Sequence, residues 1–468
     1  MQLKESFQSI NQIVFGLGLV LVTGLVALIG FQLNKNIKMS EKYWQGEKHT
    51  IPVIEIKTDP DNLWSDKTGI YVKGEQENYF QAGDEWEKEA EMRLFDETGK
   101  LEMEQKIGLS LHGRGMRSMP QKAFRLTAKN YQGENDLFRY SFFDEEGSKA
   151  YGSLVLRVGD SHLTMMRDML ASRLVSQVSS LEVQLGRPVV VYLNQEYWGL
   201  YWLQERYDDE YFEQKYRVQP GMLGMLEVPL GSFVNHGYAV SVDKRDKAGV
   251  ERYNWLVDQV SGCRGCEGFS AINKYVDIQN MIDYFILELY MGNADWPFNN
   301  VKLWWFKVEP MKEEIISDFK YLDGRLRWLL FDLDAGFGAG IETAEKMKQA
   351  AESDPHGDLK NEDFPFRNLF DEDRFRRLYQ KRLVELVQGG LEAEEVENLI
   401  DKMAEEIRPE MSRQIERWGQ EKSESGYHVV SSMEEWERQV DLLKVFARSR
   451  SDSYLDWLKK YYKNNESY

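Results

Sequence analysis

The chain has 468 residues, 42% of them apolar and 13% aromatic, which supplies ample core and excludes a disordered chain. That length fits one large two-lobed domain or about two to four smaller units. Its 59 Lys and Arg against 78 Asp and Glu leave a net charge of −19, which excludes a nucleic-acid backbone as the main partner. In chain order, the first element is "IVFGLGLVLVTGLVALIGF", residues 13–31, a stretch without a charge. At 1.5 Å per residue it matches the ~30 Å of a bilayer core, and no small-residue cleavage site follows it. It predicts an uncleaved single-pass anchor over 13–33, between a short tail (1–12) and a polar linker (34–50). Lys4 precedes the span, and Lys35, Lys38, Lys42 and Lys48 follow it. Taken alone, these charges put the bulk in the cytoplasm, but long domains translocate largely regardless of charge. The side stays open, with a lean to the extracytoplasmic one.

Residues 51–206 read mainly as strands. "IPVIEIKT" and "YVKG" are short extended runs, while "KIGLSLHG" and "KAFRLTAK" alternate apolar and polar positions. "RPVVVYLNQEYWGLYWLQER" predicts a hairpin turning at Asn194–Gln195. Within this region "LTMMRDMLASRLVSQV" spaces Met166, Leu170, Leu174 and Val178 four apart, a helix. From about 207 the pattern becomes helical. Ile278, Met281, Ile282, Phe285, Ile286 and Leu289 form one apolar stripe, with Asp277 suited to the N-cap and Gly292 to the left-handed position past the C-terminus. Residues 370–418 and 432–462 are further amphipathic helices, the last opening with a capping box of Ser432 and Glu435. Cys263 and Cys266, the only cysteines, form one "CRGC" and read as plain thiols or a local loop disulfide. His112, His162, His236 and His356 stand singly and read as surface or packing residues.

Three stretches carry candidate chemistry. "MGNADWPFNN" places Asp295 and Asn300 five apart between an apolar helix and an apolar strand. "LLFDLDAGFG" ends a greasy strand in Asp332 and Asp334, carboxylates that are costly there unless paired or bound to a cation. Acids at i and i+2 with an Asn are hard oxygen ligands suited to Mg²⁺ or Mn²⁺. "LSLHGRGMRSMPQKAFRL" sets Gly113-Arg114-Gly115 between strands, followed by Lys122 and Arg125, where backbone amides and cations could face phosphate. Each alone has a plainer reading, as a solvated cap, a strand end or a tight turn. In this order they match what phosphoryl transfer requires, and the protein-kinase catalytic loop also spaces its Asp and Asn five apart. The His-Arg-Asp and Ala-Pro-Glu signatures of that fold are absent.

Together with "LRVGDSHLTMMRDMLASRL" and "VVVYLNQEYWGLYWLQERYDDEYF", these stretches resemble the spore-coat-protein-H (CotH) kinase family over roughly 51–420. The resemblance implies an α+β, two-lobed atypical protein-kinase-like fold. Its β-rich N-lobe would span 51–206, its helical C-lobe 207–420, and a helical extension 421–468. It implies a kinase using ATP with Mg²⁺ or Mn²⁺ and acting on Ser or Thr of a protein acceptor. Carried over residue by residue, Asp295 is the catalytic Asp and Asn300 a metal ligand. Asp332 is the principal metal Asp, Asp334 an accessory ligand, and Gly113 to Gly115 the phosphate loop.

The family's Pro-Lys-Lys is here Pro120-Gln121-Lys122, which leaves Lys122 or Arg125 as the nucleotide-contacting cation. Strand alternation points those two to opposite faces. Glu205 is either that cation's acidic partner or a strand-end charge. Arg157, Asp160, Arg167 and Asp168 form either an ion network that orients the phosphate loop or a helix start with surface pairs. The acid-rich 342–364 reads as a mobile loop that could dock a basic acceptor, or as a solvated insertion. Two other readings stay open: a non-catalytic nucleotide-binding or cell-surface interaction module, and adenylylation on the same fold.

Overall fold

A computed structural model describes residues 48–129, 137–143, 150–159, 163–228, 247–261, 268–297, 299–308, 321–353, 364–421 and 429–465. Seven strands close into a barrel in the order β1-β2-β3-β4-β5-β7-β6. They are β1 (Val53–Thr58), β2 (Lys88–Phe95), β3 (Leu101–Leu111), β4 (Phe124–Ala128), β5 (Ser153–Arg157), β6 (Gly186–Leu193) and β7 (Glu196–Glu205). Closure is made by the one parallel pairing in the barrel, Val53–Ile56 of β1 against Val190–Leu193 of β6. It leaves no open edge on that side. The β6–β7 hairpin turns at Asn194 and Gln195, both at positive φ, as the two-residue turn requires.

Strand alternation splits the core. Val189, Val191, Tyr201 and Leu203 fill the barrel with Ile54, Leu109, Leu126 and Leu156. Val190, Tyr192, Leu200 and Trp202, from the same two strands, face the helical part. The mixed α+β class is thus observed, with strands first and mainly helices after.

Helix α1 (Pro60–Trp64) follows β1, and α2 (Arg167–Val178) starts one turn later than the apolar pattern predicts. Leu163 and Met165 take positive φ instead. The reason is tertiary: the Trp436 and Trp202 indoles donate to the Thr164 and Met165 carbonyls at 3.0 and 2.6 Å. After α3 (Asp209–Tyr216) comes a second sheet in the order β10-β9-β8, built from β8 (Leu223–Val228), β9 (Val301–Phe306) and β10 (Arg327–Leu329). Helices α4 (Lys247–Ser261) and α5 (Gly268–Tyr275) precede α6 (Ile278–Met291). Helix α6 is capped as its sequence predicts. Asp277 Oδ1 accepts from the Asn280 amide at 3.1 Å, and Gly292 is left-handed at φ 59°.

Helices α7 (Ala344–Glu352), α8 (Asp373–Gln388), α9 (Ala393–Trp418) and α10 (Met433–Asn465) complete the fold. The acid-rich segment is therefore partly a helix, because Thr343 caps α7 and Met347 and Ala351 are buried where it packs on α10; residues 354–363 lie outside the described residues. The box opening α10 is shifted by one: Ser432 Oγ caps the Glu435 amide, while Glu435 reaches back to Ser431.

Three residues of α9 clamp the barrel. Glu410 takes His49 at 2.9 Å, Gln414 accepts from the Leu200 amide at 2.8 Å, and the Trp418 indole donates to the Trp198 carbonyl at 2.7 Å. Their four-residue spacing puts them on one helix face.

The single-pass membrane expectation is corrected. Among the described residues no helix is long and apolar enough to cross a bilayer. The stretch 13–33 lies outside those residues, as do Cys263, Cys266, Asp160, His162, His236 and His356.

Candidate active site

The loop after α6 is assembled from polar side chains over a buried base. Glu288, one turn before the helix end, is buried, and its carboxyl oxygen Oε2 accepts from the Asn293 side-chain amide at 2.9 Å. Asn293 Oδ1 in turn accepts from the Asp295 backbone N–H at 3.2 Å, which fixes the Asp295 backbone in the loop just past the helix. Asp295 Oδ2 receives the amides of Asn299 at 3.2 Å and Asn300 at 2.9 Å. The Trp296–Pro297 peptide within this loop is cis.

Asn300 is the junction. The same Nδ2 that donates to Asp295 also donates to Asp332 Oδ2 at 3.0 Å. Asn300 and Asp332 both hold positive φ, 56° and 58°, a conformation that costs a non-glycine residue about 1 kcal/mol or more and recurs at functional sites. The loop before β9 and the loop after β10 therefore meet through one amide.

A guanidinium closes the other side. Arg157, the last residue of β5, bonds Asp332 Oδ1 and lies 3.6 Å from Asp334 and 3.8 Å from Asp168 of α2. Asp168 is buried and also accepts from the Leu333 backbone N–H at 2.9 Å and from Gln204 at 3.0 Å. One carboxylate thereby fixes both the strand-end cation and the backbone between the two loop acids. Burial alone would lower the Arg157 pKa; Asp168, Asp332 and Asp334 more than offset it and raise it well above the ordinary value. Burial likewise opposes ionisation of Asp332, yet Arg157, with help from Lys302, holds its carboxyl below the usual range.

The glycine loop joins this cluster at His112. Burial, reinforced by Arg157, Arg206 and Lys302 and opposed by Asp332, pushes the imidazole down to about 3, so His112 is neutral at physiological pH. Gly113, at φ +84°, and Gly115 have open space where a Cβ would stand, so a ligand can come close to the backbone. The exposed Arg114 guanidinium lies 3.7 Å from Glu227, which lies 3.5 Å from Lys302. Lys302 sits over the Phe331 ring at 3.7 Å. Burial lowers the Lys302 pKa against the pull of Glu227 and Asp332.

The ordered blocks that suggested phosphoryl transfer thus converge on one place. Matched against models of protein families, residues 109–454 fit the CotH kinase protein family, well over half of the chain. The chain belongs to that family. No curated protein matches it.

Within the CotH kinase frame, Asp295, Asn300, Asp332 and Asp334 stand together, and Gly113 to Gly115 flank them through His112. Of the other three expected nucleotide contacts, Lys122 and Glu205 are placed elsewhere, while Arg125 shares the outer barrel face with Arg157 through the β4–β5 pairing. Lys122 shares the inward face of the barrel with Phe124; its ammonium donates to the Met119 carbonyl at 2.6 Å and lies over the Tyr71 and Tyr79 rings. Arg125 lies on the outer face, where the charges of Arg206, Asp208, Glu87 and Glu210 act on it. Glu205 is buried at the far end of β7, accepting from the Leu185 amide at 3.0 Å. Burial pushes its carboxyl up to about 7.

Gln121, the departure from the family's Pro-Lys-Lys, has a packing role. It donates to the Leu200 carbonyl at 3.2 Å and accepts from Gln414 at 2.6 Å, inside the clamp made by α9. Sequence reasoning missed Lys302, which hides in an apolar strand, and His112, whose only signal was its place before the glycines.

The donor set suits a hard cation: two carboxylates and an amide oxygen, the few protein ligands Mg²⁺ takes when phosphates supply the rest. Among the described residues no group of three or more His, Cys, Asp and Glu could hold a metal by itself.

Glu288 gives this loop a pH signature. Burial pushes its carboxyl up to about 8, against the pull of the Asn293 amide and with Asp295 adding to the rise. A carboxyl raised from 4.5 binds more protons folded than unfolded, so stability falls as pH rises from about 4.5 to about 8 and levels off above. Glu288→Gln, an uncharged isostere, is expected to flatten that slope and to gain up to a few kcal/mol over wild type at pH 8. Urea unfolding at pH 5, 6.5 and 8 measures it; identical slopes in the two proteins would rule it out.

Proposed function

We propose that the protein binds ATP with Mg²⁺ or Mn²⁺ between the barrel and the loops after α6 and β10, and transfers the γ-phosphate to a Ser or Thr hydroxyl of a protein. The observation that carries this reading is the Asn300 amide bridging Asp295 and Asp332. It brings a candidate proton acceptor next to a candidate metal carboxylate, with cations on the far side. In the finer fold reading, the barrel serves as the N-lobe and the helical part as the C-lobe of a kinase-like pair.

Each group then has a role. Asp295 orients the acceptor hydroxyl and takes its proton as the oxygen forms its bond to the γ-phosphorus. The bond from that phosphorus to the β–γ bridging oxygen breaks, and ADP leaves with the electron pair. Asn300, Asp332 and Asp334 hold the divalent ion, which neutralises phosphate charge when bound. The amides of Gly113 to Gly115 approach the phosphates. Lys302 and Arg157 supply cations beside Asp332, a place that the inward-turned Lys122 does not reach. Among cations of this site only Arg114 is largely exposed, so it is the one best placed to meet incoming ligand.

The test is ligand-induced stabilisation of the full chain. ATP with Mg²⁺ is expected to raise the melting temperature by several degrees, and Asp332→Ala to abolish the shift. Wild-type protein that ATP and Mg²⁺ leave unshifted would end the nucleotide reading.

A further inference from the structure

Both carboxylate oxygens of Asp332 are engaged by the chain itself. Oδ2 accepts the neutral amide of Asn300, and Oδ1 takes the guanidinium of Arg157. An amide can stay beside a metal-bound carboxylate by turning its own oxygen to the ion. A guanidinium on the same oxygen cannot, because it carries like charge.

Arg157 is also tethered independently of Asp332. Asp168, only 5% exposed at its side chain, lies 3.8 Å from Nε, and Asp334 lies 3.6 Å from the terminal nitrogen. Asp168 is itself pinned by the Leu333 backbone and Gln204. The guanidinium is 16% exposed, so it neither swings into solvent cheaply nor loses its charge. Other charges facing this point are Lys302 and Arg206, both cationic, and neutral His112.

We propose that Arg157 is a counter-cation that competes with the divalent ion for Asp332 and yields to it when nucleotide phosphates arrive. The consequence is ordered loading, in which metal enters with nucleotide and binds weakly ahead of it. The tether decides this. Arg157 gives up one carboxylate oxygen yet remains in the site, where its freed N–H donors suit an anion with several oxygens, as a phosphate is. Asp168 is thus a positioning residue for a cation with two partners in turn. The inference rests on the metal-dependent reading above and goes beyond it by coupling the two ligands.

The experiment measures Mn²⁺ binding by electron paramagnetic resonance on the full chain, without nucleotide, and ATP binding separately. In Arg157→Gln, Mn²⁺ alone is expected to bind roughly tenfold more tightly, since a competing charge is gone. ATP with Mn²⁺ is expected to bind about tenfold more weakly, since a charge-assisted contact is lost. A residue with only a packing role would not move the two affinities in opposite directions. Arg157→Met, which keeps the side chain's apolar stem, stands in if the Gln variant does not fold.

Folded variants with unchanged or weaker Mn²⁺ affinity overturn the inference, and so does failure of both variants to fold. Wild-type protein that binds neither Mn²⁺ nor ATP overturns the metal-dependent reading itself, a separate result.

Discussion

Asp295→Asn is expected to lower phosphoryl transfer by about two to four orders of magnitude while nucleotide binding stays within a factor of about three. The substitution keeps the shape of the side chain and an oxygen able to accept the Asn299 and Asn300 amides, which in the native loop lie 3.2 and 2.9 Å from Oδ2. The backbone bond to Asn293 is untouched. What it removes is the capacity to take a proton. Rate measurement at saturating ATP, beside a direct binding titration, separates the two roles. Full activity in the Asn variant would reduce Asp295 to a loop-building acceptor.

The second large effect falls on stability. Asp168→Ala is expected to lower the unfolding free energy by about 3–5 kcal/mol, the range for removing one partner of a buried charge pair. Asp168 holds Arg157, the Gln204 amide and the Leu333 N–H together, so its loss removes one carboxylate partner of the guanidinium, takes the carboxylate acceptor from the buried Gln204 amide and the Leu333 N–H, and frees the backbone between Asp332 and Asp334. Asp168→Asn keeps an acceptor for Leu333 and should lie between the two. Urea denaturation orders the three proteins. A loss within 1 kcal/mol for the Ala variant would show that this network contributes little to the fold.

Local rules were the legible part of the chain. Asp277 and Gly292 cap α6, and Asn194–Gln195 turns the β6–β7 hairpin, because caps and two-residue turns depend on a few adjacent residues. The acidic site showed for a related reason. Polar residues such as Asp295, Asn300 and Asp332 stand out where apolar segments would otherwise continue.

What stayed hidden depends on distant partners. Closure of the barrel by β1 against β6 joins residues far apart in the chain, and no local pattern predicts it. Alternation correctly set Lys122 and Arg125 on opposite faces, yet it could not say that Tyr71, Tyr79 and the Met119 carbonyl surround the inward one. The first turn expected for α2 is lost to two indole hydrogen bonds from β7 and α10. Arg157 was noticed, but its three carboxylates come from a helix and a loop that only the fold brings together.

The most direct measurement is label transfer from ATP to a generic basic protein acceptor by the full-length chain with Mg²⁺ or Mn²⁺. The γ- and α-labelled nucleotides run in parallel, with Asp332→Ala beside wild type. The account predicts label on protein from γ-labelled ATP alone, dependent on the metal and absent in the variant. Label arriving from α-labelled ATP, or undiminished transfer by Asp332→Ala, would contradict it.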